Sequence, residues 1–253
     1  MSTDNTQKFS GRADDYAIGR PSYADGLIQS LFSEYGFSSH SIVADIGAGT
    51  GKFARQLLDK GCFVYGVEPN DDMRSSAAKA LENYKNFQAV NGSASDTTLN
   101  AHSIDFVTAA QAFHWFDAAL FAKECRRILK PDSKVFLIWN HRDMSCAVNR
   151  QNYEICSLFC PDFKGFSGGI NYEENKIKEF FSGNYRYAEF DNPLCYDRER
   201  FIHRCLSSSY SINKGDNRYH EYVSSLEKLF EQYSENNILT VNNKTVVYFG
   251  KID

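Results

Sequence analysis

The chain has 253 residues, 42% hydrophobic and 15% aromatic, enough to bury a substantial core in one large domain or two small ones. Its formal net charge of -4 excludes the chain-wide positive field by which proteins hold nucleic acid backbones. No stretch reaches the ~18 apolar residues of a membrane span, and the N-terminal segment is polar. We therefore expect a soluble, cytoplasmic monomer or homodimer with no nucleic acid and no membrane as partner.

Seven cysteines without any C-x-x-C pair indicate free thiols in a reducing compartment rather than a disulfide framework. Cys156 and Cys160 in "CSLFC" have the i, i+4 spacing of one helix face, so they offer two thiolates to a metal. No nearby His and Cys pair completes four ligands, and free cysteine commonly packs as a small apolar residue. The sequence therefore predicts no metal site.

Short apolar runs alternate with amphipathic segments between residues 42 and 139, which predicts a parallel sheet of βαβ units covered on both faces. A ligand of such a sheet lies at the C-terminal ends of its strands. In chain order the predicted elements are strand 42–46, helix 52–61, strand 62–67, helix 71–84, strand 87–90, strand 104–110, helix 117–130 (stopped at Pro131) and strand 134–139.

The alternation stops after the last of these strands. Residues 141–215 are rich in aromatic, Asn and Ser residues and contain two helical candidates, 147–159 and 197–209. Residues 219–233 predict a further helix, and "NILTVNNKTVVYFG" predicts two strands around a polar turn. We expect this strand pair to finish the sheet with an antiparallel edge.

Three glycines in "DIGAGTG", Gly47, Gly49 and Gly51, stand between the first strand and its helix. Such a cluster admits positive φ and clears space for a small molecule at the helix N-terminus. A dinucleotide fingerprint requires a third glycine where this chain has Lys52. Glu68, about 20 residues further on, ends the second strand and offers both carboxylate oxygens to ribose hydroxyls, which suits several nucleotide cofactors.

Several motifs together resemble one family. "DIGAGTG", "NGSASD", "QAFHW" and "RRILKPDSKVFLIWN" resemble successive segments of class I S-adenosylmethionine-dependent methyltransferases of type 11. "YAIGRPSYADGLIQSL" is similar to the N-terminal helix of the trans-aconitate methyltransferase-like subset, so the resemblance covers about residues 9–140. Ser133 replaces the family's usual glycine in a turn far from the site.

The resemblance implies an α/β fold with a Rossmann-like seven-stranded sheet of order 3-2-1-4-5-7-6. The last strand would be antiparallel, helices would cover both faces, and a helical cap would be inserted. The implied organisation is a single methyltransferase domain over 1–253, with N-terminal lid helices at 1–35, a cofactor-binding core at 40–140, a substrate-side cap at 141–215 and a C-terminal helix and strands at 216–253 that complete the sheet.

The cofactor implied by the resemblance is S-adenosyl-L-methionine. Asp45 would lie near its amino acid moiety, Tyr16 or Arg20 would reach its carboxylate from the lid, and the glycines would let the backbone pass beneath it. The segment after the third strand would hold the adenine. The implied cofactor-binding residues are Tyr16, Arg20, Asp45, Gly47, Ala48, Gly49, Gly51, Glu68, Pro69, Ser93, Ala94, Ser95 and Gln111.

The sequence says less about the methyl acceptor than about the cofactor. His114 follows the fourth strand and is the candidate catalytic base, although the same position suits a residue that only packs the entrance of the site. Arg142 either binds a substrate carboxylate as a bidentate fork or pairs with Asp143. The candidate substrate-binding residues are Phe113, His114, Trp115, Asn140, Arg142, His203 and Tyr210, with Arg204 as a further possibility in the same segment.

We interpret the chain as a methyltransferase acting on a small molecule, with a carboxylic acid as one candidate. A nucleic acid or protein methyltransferase is an alternative, but the chain has no basic tract and no N-P-P-Y type sequence. A protein that binds S-adenosylmethionine without catalysis is another. An NAD-dependent oxidoreductase is disfavoured by Lys52.

Overall fold

The structure is a computed structural model that describes residues 21–166, 174–208 and 210–252. Within these ranges the chain divides into two compact units. The sheet unit falls within Met1–Trp139, Tyr172–Phe190 and Thr245–Asp253, and the insert unit within Asn140–Asn171 and Asp191–Lys244.

Strands and α-helices of the described residues follow the predicted alternation in the first half of the chain. The strands are β1 (Ile42–Ile46), β2 (Phe63–Val67), β3 (Phe87–Val90), β4 (Ile104–Ala110), β5 (Leu129–Arg142), β6 (Arg186–Asp191), β7 (Leu194–Tyr196), β8 (Leu239–Val241) and β9 (Asn243–Gly250). The helices are α1 (Asp25–Ser33), α2 (Lys52–Leu58), α3 (Asp71–Ala80), α4 (Ala118–Ile128), α5 (Ala147–Phe159), α6 (Glu174–Phe180), α7 (Arg198–Leu206) and α8 (Tyr219–Tyr233).

Seven of these strands form one sheet in the order β3-β2-β1-β4-β5-β9-β6. β1 pairs in parallel with β2 and β4, and the parallel pairing continues outward to β3 and β5. The last strand, β9, is antiparallel. The predicted fold class and strand order are therefore confirmed, with β9 at the position of the predicted strand 7, between β5 and the edge strand β6.

The C-terminal strands differ from the predicted pair. Only β9 joins the large sheet, because β8 pairs with β7 in a separate two-stranded sheet, and the edge strand is β6. A single residue, Asn242, separates β8 from β9, which is too short for a hairpin turn. Helix α8 likewise belongs to the insert unit, which therefore extends beyond the predicted end of the cap at residue 215.

The start of β5 also differs from the prediction. Helix α4 ends at Ile128, and the strand begins at once, with Leu129 opposite Ile104 of β4. The register then shifts before Lys134 pairs with Phe106. Pro131 and Asp132 lie between these two pairings, and Asp132 has a φ of +66°. The proline therefore interrupts the hydrogen bonding between β4 and β5 rather than only ending the helix.

Two buried clusters cover the two faces of the sheet. Successive strand residues alternate between them, since Ala44 and Val135 belong to one cluster whereas Val43 and Phe136 belong to the other. This alternation is what a sheet buried on both faces requires. A third cluster forms the core of the insert unit, around Tyr222, Leu226, Leu229 and Phe230 of α8.

All seven cysteines are free, and Cys156 and Cys160 are buried in the insert unit. The described residues contain no group of three or more His, Cys, Asp or Glu side chains that could hold a metal ion. In the part of the chain that the structure describes, no helix has both the length and the apolar composition to cross a membrane.

Candidate functional site

The glycine loop after β1 contains three residues with positive φ, +70° at Gly47, +56° at Gly49 and +78° at Gly51. A Cβ on Gly47 would lie 2.7 Å from Ala112 Cβ, and one on Gly51 would lie 2.7 Å from Leu81 Cδ1. Among the described residues, a Cβ on Gly49 would meet no atom within 4 Å. Two of the glycines therefore make room for the protein's own side chains, and only Gly49 borders open space.

Backbone hydrogen bonds fix this loop against β2. The N–H groups of Gly47 and Ala48 both donate to the carbonyl oxygen of Val67, at 2.8 and 3.2 Å. The N–H of Gly49 donates to Glu68 Oε2 at 2.9 Å. The loop after β1 is therefore bound to the C-terminal end of β2, where the predicted ribose acceptor lies.

The Glu68 carboxylate accepts a hydrogen bond at each oxygen. Besides the bond from Gly49 to Oε2, the N–H of Asn70 donates to Oε1 at 3.0 Å. Burial raises the pKa of Glu68, although the two N–H donors oppose this effect. Each carboxylate oxygen carries a second lone pair, so Glu68 can hold the loop and still accept hydrogen bonds from a ligand.

Two residues that position this carboxylate were missed by the sequence analysis. Arg74 of α3 donates through Nη1 to the carbonyl oxygens of Glu68 and Pro69, at 2.9 and 3.3 Å, and to Asn91 Oδ1 at 3.4 Å. Asn70 caps α3 by accepting from the N–H of Met73. The polar "NDD" start of that helix is an N-cap signal, but nothing in the sequence pattern points to Arg74.

Asp45 is buried in the sheet beside the glycine loop, with 1% of its surface exposed. Its Oδ1 accepts from Thr108 Oγ1 at 2.8 Å, whereas Oδ2 is buried without a hydrogen-bond partner among the described residues. The pKa of Asp45 is raised to about 7. Burial is the main cause and the nearby charge of Glu68 adds to it, whereas the hydrogen bond from Thr108 opposes both. A buried carboxylate oxygen without a donor is suited to a ligand that brings one.

The "NGSASD" segment forms a tight turn after β3. The N–H of Ser93 donates to the Asp96 carbonyl oxygen at 2.8 Å, and the hydroxyl oxygens of Ser93 and Ser95 lie 3.1 Å apart. Ala94 is partly buried against the core of the sheet unit. The turn therefore presents hydroxyl groups and backbone atoms beside the small apolar side chain of Ala94, which suits the edge of an adenine.

A buried carboxylate holds the residues that follow this turn. Thr97 donates its N–H and its hydroxyl to Glu124 Oε1, at 2.8 and 2.6 Å. Arg127 donates to both oxygens of Glu124 and to the carbonyl oxygen of Leu99. Burial raises the pKa of Glu124, but the bonds from Arg127 and Thr97 outweigh burial and hold this pKa below its usual value.

The "QAFHW" segment follows β4 at the same end of the sheet. Gln111 has a φ of +55°, and its N–H donates to the carbonyl oxygen of Ile138 at 2.8 Å. His114 is half-buried in a short 3-10 helix, and its ring centroid lies 4.8 Å from that of Trp115. Trp115 is 42% exposed, so it remains available to a ligand.

Phe113 lies in the core rather than on an open surface. Only 2% of it is exposed, and its ring packs edge-on against Phe180 at 4.9 Å and Trp139 at 6.3 Å. A short helical turn points neighbouring side chains in different directions, so Phe113 turns inward where Trp115 turns outward. This placement does not suit the substrate contact that the sequence analysis assigned to Phe113.

Arg142, at the end of β5, stacks on an aromatic ring within the insert unit. Its guanidinium carbon lies 3.6 Å from the Phe166 ring centroid. Asp143 instead accepts from the N–H and hydroxyl of Ser145, at 2.9 and 2.6 Å. Among the described residues, the alternative ion pair between Arg142 and Asp143 therefore does not form.

The other candidate residues of the insert unit have different surroundings. Asn140 Oδ1 accepts from Asn192 Nδ2 at 3.1 Å. His203 is exposed on α7, and the Tyr210 ring packs edge-on against Phe163 at 4.8 Å. Tyr16 and Arg20 lie outside the described residues. Asp45, the glycine loop, Glu68, the Ser93–Ser95 turn and the segment from Gln111 to Trp115 all belong to the sheet unit.

Comparison with known proteins agrees with this arrangement. A family model described as "Methyltransferase domain" matches residues 44–137. An uncharacterised methyltransferase of Schizosaccharomyces pombe is 31% identical over 205 residues, which are 79% of this chain and 77% of the relative. The chain belongs to the class I methyltransferase family.

Solved structures of the family share its fold. A protein from Anaeromyxobacter dehalogenans described as a type II methyltransferase aligns with 92% of this chain and 98% of its own, at 18% identity and a TM-score of 0.64. A Haemonchus contortus phosphoethanolamine N-methyltransferase, solved with phosphomonomethylethanolamine and S-adenosylhomocysteine, covers 95% of this chain and 56% of its own. Its identity is 18% and its TM-score 0.52. These likenesses show the fold, and they do not single out the trans-aconitate methyltransferase-like subset.

The residues of the sheet unit fit the cofactor of this family. Open space lies above Gly49, Asp45 Oδ2 lacks a donor, and Glu68 retains acceptor capacity at both oxygens. S-adenosylmethionine brings an ammonium group and two ribose hydroxyls, which are the donors these acceptors lack. Asp45 would hold the ammonium group, Glu68 the ribose, and the Ser93–Ser95 turn the adenine.

Substitutions in the glycine loop should distinguish a glycine that leaves room for a ligand from one that leaves room for a neighbouring side chain. Gly49→Leu should abolish binding of S-adenosylmethionine while lowering the free energy of unfolding by only about 1–2 kcal/mol, the cost of a side chain at positive φ. Gly47→Ala should add an overpacking cost of about 1–3 kcal/mol, because its Cβ would press on Ala112. Titration calorimetry and chemical denaturation check both. Unchanged affinity in Gly49→Leu would contradict a ligand at this place.

Asp45 should make stability fall with rising pH. Its pKa in the folded state, about 7, lies above the value of about 4 in an unfolded chain, so between these values folding requires Asp45 to keep its proton. Asp45→Asn removes this effect. The free energy of unfolding of the variant, relative to that of the parent, should rise by up to ~4 kcal/mol from pH 4 to pH 8. Parallel pH profiles in chemical denaturation would show that Asp45 titrates normally.

Proposed function

We propose that the protein transfers a methyl group from S-adenosylmethionine to a small-molecule acceptor, with a carboxylic acid as the favoured class. The observation that carries this proposal is the trio of open space at Gly49, an unpartnered buried oxygen on Asp45 and a loop-bound Glu68 carboxylate. All three belong to the sheet unit, and together they match the donors of this cofactor. Membership of the methyltransferase family supports the same reaction.

When bound, S-adenosylmethionine supplies a methyl group activated by the positive charge on its sulfur. The chain therefore needs to orient the two reactants and exclude water more than to activate the donor. Glu68 would fix the ribose, Asp45 the amino acid end, and Trp115 would offer an exposed aromatic face close in sequence to His114. A carboxylate, thiolate or amine acceptor needs little further help, whereas an alcohol or a carbon acid would need a base to take its proton.

The charges of the chain support a small, acidic acceptor. The net charge of -4 disfavours nucleic acid, and Arg142 presents a guanidinium stacked on Phe166 that suits a carboxylate. The Haemonchus contortus enzyme, which shares the fold, was solved with a small anionic molecule. The seven free cysteines favour a reducing, cytoplasmic setting for the same reaction.

Glu68→Gln should weaken S-adenosylmethionine binding by about 1–3 kcal/mol, because it replaces a charged acceptor by an amide. The amide N–H₂ would also face the N–H of Gly49 or Asn70, so the glycine loop should loosen. S-adenosylhomocysteine should lose nearly the same affinity, because the ribose is common to both ligands. Titration calorimetry on both ligands decides this, and a loss confined to the methylated ligand would place Glu68 beside the sulfur instead.

His114 is expected to pack the entrance of the site, so His114→Ala should leave kcat within about tenfold of the parent. A general base contributes about 10²- to 10⁴-fold, so a loss in that range would identify His114 as the base. The pH dependence of kcat provides a second readout, because removing a base flattens the acidic limb of the profile.

The proposal as a whole is tested by ligand stabilisation followed by methyl transfer. S-adenosylmethionine and S-adenosylhomocysteine should raise the melting temperature, since a ligand that binds only the native state stabilises it by mass action, whereas NAD and NADP should not. Metabolite extracts incubated with the protein and a labelled methyl donor should then yield one labelled small molecule. Stabilisation without transfer to any fraction would favour a protein that binds the cofactor without catalysis.

A further inference from the structure

The Thr108 hydroxyl is the donor that the chain supplies to the Asp45 carboxylate. Asp45 on β1 and Thr108 on β4 are Cα partners in the parallel pairing of these strands, so their side chains lie side by side on one face of the sheet. Thr108 is fully buried, and its Oγ1 lies 2.8 Å from Asp45 Oδ1. Two adjacent strands in the middle of the sheet therefore fix the position of this hydrogen bond.

The hydrogen bond selects one rotation of the carboxyl group. The terminal torsion of an aspartate is broad and roughly two-fold, so rotation about this bond exchanges the two oxygens at little cost. A donor on the neighbouring strand instead holds Oδ1 of Asp45 in one place. Oδ2, which has no hydrogen-bond partner among the described residues, is then the oxygen that remains for a donor from outside the chain.

A hydroxyl orients the carboxylate without neutralising its charge. Asp105, near the start of β4, accepts from the N–H of Ile42 at one oxygen and pairs with Lys130 at the other, both at 2.8 Å. A cation of the chain therefore compensates the charge of Asp105. The hydrogen bond to Asp45 comes from a neutral donor, which leaves the negative charge available to a cation that a ligand carries.

The same hydrogen bond opposes protonation of Asp45. The pKa of Asp45 is raised to about 7, mainly by burial, and the charge of Glu68 at the end of β2 adds to the rise. The bond from Thr108 acts in the opposite direction, because a hydroxyl that donates to a carboxylate favours the ionised form. Without this hydroxyl the pKa would lie higher, and a larger fraction of Asp45 would be protonated near neutral pH.

We propose that Thr108 is a positioning residue for the amino acid end of the cofactor, because its hydroxyl keeps Asp45 ionised and oriented so that Oδ2 accepts from the ammonium group. This inference rests on the proposed function, since it takes the cofactor to be S-adenosylmethionine. Thr108 acts through Asp45, so its effect should be confined to ligands that carry the ammonium group. The effect should also depend on pH, which a purely structural role would not produce.

The first test compares ligands with and without the amino acid end. S-adenosylmethionine, S-adenosylhomocysteine and 5′-methylthioadenosine, which lacks that end, are titrated by calorimetry at pH 7 into the parent and Thr108→Val. The variant should bind the two amino acid ligands about tenfold more weakly, the loss expected for one hydrogen bond to a charged group. Its affinity for 5′-methylthioadenosine should stay within about twofold of the parent. Glu68→Gln should instead weaken all three ligands, because the ribose is common to them.

The second test follows the pH dependence of binding. Because the ionised Asp45 accepts from the ammonium group, affinity falls as Asp45 gains a proton, and in Thr108→Val this fall should begin at a higher pH. The ratio of the dissociation constants of variant and parent for S-adenosylmethionine should be about three- to tenfold larger at pH 6 than at pH 9. That difference corresponds to about half to one unit in the pKa of Asp45. Titration of the cofactor itself cancels in the ratio.

Further variants distinguish the hydroxyl from the packing around it. Thr108→Ser keeps the hydroxyl and should restore most of the affinity and the pH dependence of the parent. Thr245→Val removes another buried hydroxyl of the same sheet, which accepts from the N–H of Ala24 at 2.9 Å, and should lower the melting temperature without changing the pH dependence. If Thr108→Val does not fold, Thr108→Ala carries the same expectations. Failure of both to fold would assign the hydroxyl to folding and overturn the proposal.

Failure of this inference is distinguishable from failure of the proposed function. An equal loss for 5′-methylthioadenosine, a ratio that does not vary with pH, or a serine variant as weak as the valine variant would each overturn the role of Thr108. S-adenosylmethionine binding by the parent would still support the proposed function in those cases. A parent that binds neither S-adenosylmethionine nor S-adenosylhomocysteine would overturn the proposed function and the inference with it. A loss confined to the ligands with an ammonium group, larger at low pH and reversed by serine, supports the positioning role.

Discussion

The Glu68 carboxylate is the constraint on which the candidate cofactor site depends. One oxygen accepts the N–H of Gly49 from the loop after β1, and the other accepts the N–H of Asn70 at the start of α3. Arg74 donates to the backbone carbonyl oxygen of Glu68 and to the side chain of Asn91, which follows β3. Glu68 and Arg74 together therefore join the C-terminal ends of three adjacent strands, and the Glu68 carboxylate holds the loop at whose Gly49 the open space lies.

The candidate site contains two carboxyl groups whose ionised form is unfavourable in the folded chain. Burial raises the pKa of both Asp45 and Glu68, so each carboxylate costs free energy when ionised in the ligand-free chain. Glu124 is also buried, but Arg127 and Thr97 satisfy it and hold its pKa down. Glu124 thus has donors and a positive charge within the chain, whereas Asp45 Oδ2 has no partner among the described residues and suits a donor that a ligand would bring.

Local patterns predicted much of this protein. The alternation of apolar and amphipathic segments was enough to predict β1 to β5 and their parallel sheet, whereas the order of the strands in the sheet came from the family resemblance. The roles of the individual glycines did not follow from the same pattern. Gly47 and Gly51 face Ala112 and Leu81, residues that the sequence places far away.

The sequence by itself determined the elements that depend on short-range periodicity, because a strand or helix with a buried face repeats its apolar residues within a few positions. Only the tertiary structure decided which segments pair at the sheet edge, where β6 took the place predicted for Leu239–Val241. It also decided that Phe113 turns into the core and that Arg142 stacks on Phe166. These contacts join residues tens of positions apart, and their free energy depends on packing that no local pattern encodes.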